Sequence, residues 1–294
     1  MILNSSALEQ FPISRIQGVN VSSVPQRSPL RYPGGKTWLI PHIRNWLSRS
    51  KSQVLVEPFA GGGIVSLTAV MEDLVDEAVL VEIDHDVAAF WRTVLHDTDD
   101  LIKRIQQFTP SRKAVEELDQ AGWRNDNERA FRTLVLNRTR RAGILASGAS
   151  FIDSGENAKG IGSRWYPDTL VKRLQEIGKH AKRFSFYEDD SMRILAPLLR
   201  DLGQKAVVFV DPPYTGKGGK GAGSRLYNHC NIDHAQLFET LDRSRSNFLM
   251  TYDEAQEIVD LICRHRFHAV RVEMNNAHYR PLSELVITRE MLFA

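Results

Sequence analysis

Short apolar runs and amphipathic stretches alternate along most of this chain, and the alternation predicts an α/β protein. Val54–Val56, Ala78–Glu82, Arg183–Tyr187, Val207–Val210, Asn247–Tyr252, Phe267–Glu273 and Leu282–Thr288 read as strands. Between them, residues 37–48, 64–75, 85–95, 192–202, 233–244 and 254–264 carry the spacing of helices. Strands that alternate with helices imply a sheet covered by helices on both faces. The pattern loosens between about 96 and 180, where the period is mixed, and no period is evident over residues 1–28. Three blocks follow: an N-terminal arm (1–28), a sheet domain in two pieces (29–95 and 181–294), and an inserted domain (96–180).

The strand that draws most attention is Val207–Val210, because it runs directly into Asp211-Pro212-Pro213-Tyr214. Two successive prolines remove two N–H groups and fix φ, so the strand must stop there. A stiff platform at the carboxyl end of a strand is where open α/β sheets place their chemistry. This one offers a carboxylate, a ring and carbonyls without local partners. An exocyclic amine on a base is a poor nucleophile because its lone pair is delocalised. Acceptors aimed at its hydrogens help localise that pair. Asp211 and the Pro212 carbonyl supply acceptors, and Tyr214 supplies a ring for an extruded base.

Other strand ends carry matching features. Glu57-Pro58-Phe59-Ala60-Gly61-Gly62-Gly63 follows the first strand. Its glycines let backbone approach a ligand, but it is neither the dinucleotide fingerprint nor a phosphate-binding loop. With Glu57 at the strand end, a zwitterionic ligand with an ammonium group fits better than a pyrophosphate. The second strand ends in Glu82-Ile83-Asp84, about 20 residues beyond that turn, where ribose hydroxyls are held in nucleotide-binding βαβ units. Glu82 is the first choice for that task. Asp84 is the second, or the cap of the next helix. Asp190 after the third strand is a cap or a partner for an adenine amino group. Pro33-Gly34-Gly35-Lys36 before the first helix makes a tight turn and leaves a cation at a helix start, where the dipole disfavours it; an anionic partner such as a carboxylate is expected.

Composition sets the outer limits. At 294 residues, with 42% hydrophobic and 25% charged residues, the chain is an ordinary globular protein. The net charge of +2 does not itself argue for nucleic acid, but its distribution does. Residues 101–180 hold 15 Lys and Arg against 9 Asp and Glu, and Arg132–Arg141 holds four arginines and no acid. Arg138, Arg140, Arg141 and Arg164 are candidates to reach phosphates or base edges. Lys217, Lys220 and Arg225 lie in a Gly-rich tract without acids, suited to a lid over a polyanion. The two cysteines, Cys230 and Cys263, have no metal-like spacing, and no metal site is expected. No apolar run approaches the ~20 residues of a membrane span. A cytoplasmic protein follows by default.

In order, PGGK, EPFAGGG, VEID, EDDSM, DPPY and SELVIT form a constellation that resembles the DNA N6-adenine methyltransferases of the D12 adenine-methylase family, the group that includes the bacterial GATC adenine methylase. The resemblance covers about residues 29–290. It implies a Rossmann-like methyltransferase sheet with an inserted target-recognition domain, S-adenosylmethionine as cofactor and DNA as partner. It implies cofactor roles for Tyr32, Gly34, Gly35, Lys36, Glu57, Pro58, Phe59, Gly61, Gly63, Glu82, Ile83, Asp190 and Asp211. It gives the catalytic role to Asp211, Pro212, Pro213 and Tyr214. Leu136-Asn137-Arg138 resembles the start of the family's recognition hairpin, while Thr139–Gly143 lacks the aromatic-rich pattern of the GATC readers. The expected reaction is methyl transfer to N6 of a flipped-out adenine. Alternatives are transfer to RNA adenine, cytosine N4 or a protein amide, or a silent DNA-binding homologue. A restriction endonuclease or other defence-system protein is a candidate partner; oligomeric state is not legible.

Overall fold

The computed structural model describes residues 23–32, 34–146, 148–155, 159–214, 232–275 and 281–292. Expectations for Pro33 and for Lys217, Lys220 and Arg225, and for most of the N-terminal arm, lie outside the described residues.

Seven strands form one sheet: β1 (Val54–Glu57), β2 (Glu77–Glu82), β3 (Phe184–Glu188), β4 (Ala206–Val210), β5 (Asn247–Asp253), β6 (His268–Asn275) and β7 (Pro281–Thr288). Their order is β3-β2-β1-β4-β5-β7-β6. The first five strands pair in parallel, and β7 pairs antiparallel with both β5 and β6. The central strands are buried along their whole length, as the unbroken apolar runs required. One apolar core lies on each face of the sheet. The expected α/β sheet with helices on both faces is present.

The order reverses between β1 and β4, which diverge toward opposite edges. Such a switch point opens a crevice at the carboxyl ends of the strands. Register puts the chemistry there. Val56 pairs with Val208, so Glu57 falls level with Phe209, two residues before Asp211 and on the same face of the sheet. Val210 pairs with Met250, so Thr251 lies level with Asp211.

Three of the helices that follow strands begin with aspartate caps, Asp84, Asp190 and Asp233. Asp84 accepts from Asp86 and Val87 N–H to start α3 (His85–His96), following α1 (Ile40–Ser50) and α2 (Ile64–Met71). After β2 and α3 come α4 (Asp99–Gln107), α5 (Arg112–Gln120), α6 (Asp126–Thr139) and α7 (Pro167–His180). Next are α8 (Ser191–Leu202), α9 (His234–Ser244) and α10 (Gln256–His265). Residues 96–180 do not separate from the sheet domain in packing. Phe131, Leu134 and Val135 of α6 and Leu174 of α7 share one core with Phe90 and Val94 of α3.

The basic segment is the main departure from expectation. Arg132–Thr139 is the last half of α6, and Leu134–Thr139 is buried. Arg140 was expected to reach DNA. It is instead buried, with Nη2 on Asp119 Oδ2 at 2.7 Å and Nη1 on the Leu145 carbonyl. A guanidinium already paired and enclosed cannot serve phosphates, so Arg140 is a structural residue. Arg141 points outward, 62% exposed, and pairs with equally open Asp153. Arg164 ends a short 3-10 helix and is half-buried. The described end of the N-terminal arm is docked rather than loose. Val24 is buried and Arg27 pairs with Glu72 at 2.9 Å.

Asn137 ties α6 to the turn before α1. Its Oδ1 accepts from Arg31 N–H at 2.7 Å, and its Nδ2 donates to the Arg31 and Gly143 carbonyls, both at 2.8 Å. Gly143 has φ +76°, and a Cβ there would lie 2.0 Å from the Arg31 carbonyl oxygen, so only glycine fits. Asn137→Leu removes three hydrogen bonds to backbone, one of them buried. The expected loss is about 3 kcal/mol of folding stability, read as a lower denaturation midpoint with an unchanged slope. A midpoint equal to wild type contradicts the tie.

Candidate active site

A cavity of about 1080 Å³ opens over the carboxyl ends of the strands. It is lined by Tyr32, Gly35, Lys36, Glu57, Pro58, Phe59, Gly61, Gly63, Glu82, Ile83, Asp190, Asp211 and Pro213, among others. The structure therefore brings most of the expected cofactor residues to one space. Gly34, not in the lining, turns at φ +72° and presents its carbonyl to Lys36.

The Gly-rich loop is held from below. Gly61 N–H donates to Glu82 Oε2 at 2.9 Å, and the Trp91 indole donates to the Gly61 carbonyl at 2.9 Å. Gly61 has φ +45°, and a Cβ there would meet the Tyr32 ring at 2.7 Å. Tyr32 thus packs directly on the loop, a contact the sequence could not show.

Two buried carboxylates face this cavity. Glu57 accepts from the Ser66 N–H at 3.0 Å and from the Ser66 hydroxyl. Burial pushes its carboxyl up to about 8, against the pull of the Ser66 bonds, and the Asp211 charge adds to the rise. Glu82 accepts from the Gly61 and Asp84 N–H groups, and burial pushes it up to about 7. Asp190 caps α8 by accepting from Met192 N–H at 2.9 Å while lining the cavity, so it does serve as the cap. Ile83, 36% exposed, leaves an apolar side chain beside Glu82. Buried acids beside an exposed apolar side chain offer acceptors suited to a zwitterionic nucleoside such as S-adenosylmethionine. When bound, that cofactor supplies a methyl group on a sulfonium.

Asp211 is the centre of a second cluster. Its Oδ1 accepts from Thr251 Oγ1 at 2.7 Å and the Tyr214 hydroxyl at 3.2 Å, and pairs with the Lys36 ammonium at 2.9 Å. Among the described residues no hydrogen bond is made to Oδ2. Three contacts on one oxygen restrain the carboxylate. Lys36 also donates to the Gly34 carbonyl at 2.7 Å and lies 3.7 Å from Glu284 Oε2. The anionic partner expected for Lys36 is present: Asp211 and Glu284 take up its charge. Tyr214 stacks against Tyr252 at 5.9 Å, and the Lys36 ammonium sits 5.2 Å over its ring. Burial raises the Tyr214 hydroxyl well above its ordinary range, so it remains a donor. In this arrangement Tyr214 braces Asp211. Pro213 rather than Tyr214 reaches the cavity wall, and Pro212 is buried.

Sequence reasoning did not identify Thr251 and Glu284. Thr251 could be found only through the β4–β5 register. Glu284 sat in the SELVIT motif without a role. Burial raises its carboxyl, with Lys36 pulling the other way.

A switch-point cavity built for that cofactor, beside a carboxylate and prolines at the end of β4, defines a Rossmann-like S-adenosylmethionine-dependent methyltransferase. The profile of the D12 class N6 adenine-specific DNA methyltransferases matches residues 32–276, and the chain belongs to that family. No curated protein matches the chain significantly. Three solved structures are similar at a lower level. A SAM-dependent methyltransferase from Agrobacterium tumefaciens has 12% identity and a TM-score of 0.40, over 87% of this chain and 62% of that one. The chain thus spans less than two thirds of that protein's resolved length. A candidate RNA methyltransferase from Pyrococcus horikoshii has 10% identity and a TM-score of 0.38, over 96% and 93% of the two chains. A precorrin-6y C5,15-methyltransferase from Geobacter metallireducens has 11% identity and a TM-score of 0.35, over 95% and 98%. Among the described residues no group of acidic, His or Cys side chains could hold a metal ion, and no helix is long and apolar enough to cross a membrane.

The buried acids make ligand binding pH-dependent. Glu57 must be ionised to hold an ammonium group, so cofactor affinity should rise with pH up to about 8 and then level off. Without ligand the sign is opposite. The folded state holds the Glu57 proton more tightly than the unfolded state, so this contribution to stability fades as pH rises from 4.5 toward 8. Glu57→Gln should flatten that pH slope in thermal unfolding and weaken S-adenosylmethionine binding at least tenfold in calorimetry. A variant that binds as wild type at pH 8 removes Glu57 from the cofactor site.

Proposed function

We propose that this protein transfers the methyl group of S-adenosylmethionine to N6 of adenine in DNA. The observation that carries the reading is Asp211, held at Oδ1 by Lys36, Thr251 and Tyr214 with no hydrogen bond to Oδ2 among the described residues, in a cavity that also holds the other expected cofactor residues. Family membership supports adenine as the target base.

The residues divide the work as follows. Glu57, Glu82, Ile83 and Asp190 bind and orient the cofactor in the cavity. Asp211 Oδ2 and the Pro212 carbonyl accept the two N6 hydrogens of an extruded adenine, which turns the nitrogen lone pair toward the methyl group. Lys36, Thr251 and the Tyr214 hydroxyl keep the carboxylate in place. The proton released from N6 passes to Asp211 Oδ2. The sulfonium already activates the methyl group, so the protein mainly aligns the partners and excludes water. Tyr252 stacks on one face of the Tyr214 ring, so a base can stack only on the other.

Outward-facing Arg141 and half-buried Arg164 belong to the DNA-facing side in this reading, and Lys217, Lys220 and Arg225 supply further cations. An adenine mark in DNA acts through whatever reads it. A restriction endonuclease or another defence-system protein is the partner we infer, in the cytoplasm.

Incubation with S-adenosylmethionine and unmethylated genomic DNA, followed by nucleoside mass spectrometry, tests the chemistry. N6-methyl-2′-deoxyadenosine is expected. N4-methyl-2′-deoxycytidine alone, or modified RNA with unmodified DNA, contradicts the proposal. Asp211→Asn should reduce transfer at least a thousandfold, with cofactor affinity within threefold of wild type. Near-normal turnover of that variant would remove Asp211 from the reaction.

A further inference from the structure

One wall of the cavity comes from the helical segment rather than the sheet. It includes Arg138 in the last turn of α6 and Arg173 of α7, with Arg31 from the stretch before α1. Arg138 is only 5% exposed. Its Nη2 donates to the Pro29 carbonyl, and its buried Nε has no partner. Arg173 Nη1 donates to the Ser28 carbonyl at 2.8 Å. Among the described residues no carboxylate pairs with either guanidinium. Arg140, two residues on, is just as buried and does have one, Asp119.

The contrast is informative. An enclosed cation without a counter-ion is unfavourable unless a ligand completes it. The strain is visible in the ionisation. Burial, together with the charges of Arg173, Arg31 and Arg164, pulls the Arg138 guanidinium down to about 9. Burial and Arg31 pull Arg173 in the same direction. Three like charges, Arg31, Arg138 and Arg173, line one wall of the cavity. Guanidinium forks match the oxygens of phosphate or carboxylate.

We propose that Arg138 and Arg173 form an oxyanion-binding site inside the cavity, completed by a substrate. The inference rests on the methyltransferase reading, which supplies two sources for the anion. One is a backbone phosphate of the DNA strand that carries the target adenine. The other is the α-carboxylate of the cofactor, which lacks Lys36 as a partner because Asp211 and Glu284 hold that charge. Arg138 thus remains a candidate for DNA contact, through an enclosed phosphate rather than a base edge on an exposed surface.

Arg138→Met and Arg173→Gln test the site in the full chain. Removal of an uncompensated cation should leave the melting temperature of the ligand-free protein unchanged or raise it. Inorganic phosphate should raise the wild-type melting temperature and leave both variants unmoved. Binding of a duplex oligonucleotide and of S-adenosylmethionine is then measured separately. A tenfold loss for duplex, with a salt slope shallower by about one and cofactor affinity intact, assigns the site to a DNA phosphate. A tenfold loss for cofactor with duplex binding intact assigns it to the carboxylate. Variants that melt lower than wild type, bind both ligands normally and respond to phosphate as wild type does would overturn the site and make both arginines structural. A wild-type protein that methylates no DNA but is stabilised by phosphate through these arginines would sink the functional reading and leave the site standing.

Discussion

The ion pair between Lys36 and Asp211 is the constraint on which the site depends. A lone carboxylate at the end of β4 would rotate and hydrate. Here Lys36, Thr251 and Tyr214 converge on Oδ1 from three separate parts of the chain. Each donor is itself fixed. Lys36 is held by the Gly34 carbonyl and approached by Glu284, Thr251 by the β4–β5 register, and Tyr214 by its stack on Tyr252. The geometry is therefore set before a substrate arrives, and the unfilled valence is a single oxygen. Preorganisation of this kind avoids reorganisation at the moment of reaction.

The same logic runs through the cofactor half. Glu57 and Glu82 are buried and are pushed up to about 8 and about 7. Each has backbone or hydroxyl donors, yet among the described residues neither pairs with a cation. Arg138 and Arg173 show the opposite case, cations that pair with no acid among the described residues. A cavity with incomplete charges of both signs is suited to a zwitterionic cofactor and a polyanionic substrate, each of which supplies the missing partner.

Much of this was legible in the sequence for a simple reason. Parallel strands buried on both faces read as continuous apolar runs, and the residue after such a run lies at the active edge of the sheet. Glu57, Glu82 and Asp211 occupy such places, Asp190 follows the alternating edge strand β3, and all four line the cavity. What failed were readings that depend on packing. Arg140 sits in a basic stretch that looks solvent-facing, but α6 turns it toward Asp119. Leu136-Asn137-Arg138 resembles the start of a hairpin and is the last turn of a buried helix. Thr251 and Glu284 acquire meaning only when β5 and β7 are placed beside β4. Lys36 was read as a cation in want of an acid, correctly, but the acid belongs to the protein.

The most direct test is Lys36→Met, with single-turnover methyl transfer to DNA and S-adenosylmethionine affinity measured on the same preparation. If Lys36 serves Asp211, the transfer rate at saturating cofactor falls at least a hundredfold while the cofactor dissociation constant stays within about threefold of wild type. If affinity falls by that factor and the rate at saturation is preserved, Lys36 belongs to the cofactor, and the account of Asp211 is contradicted.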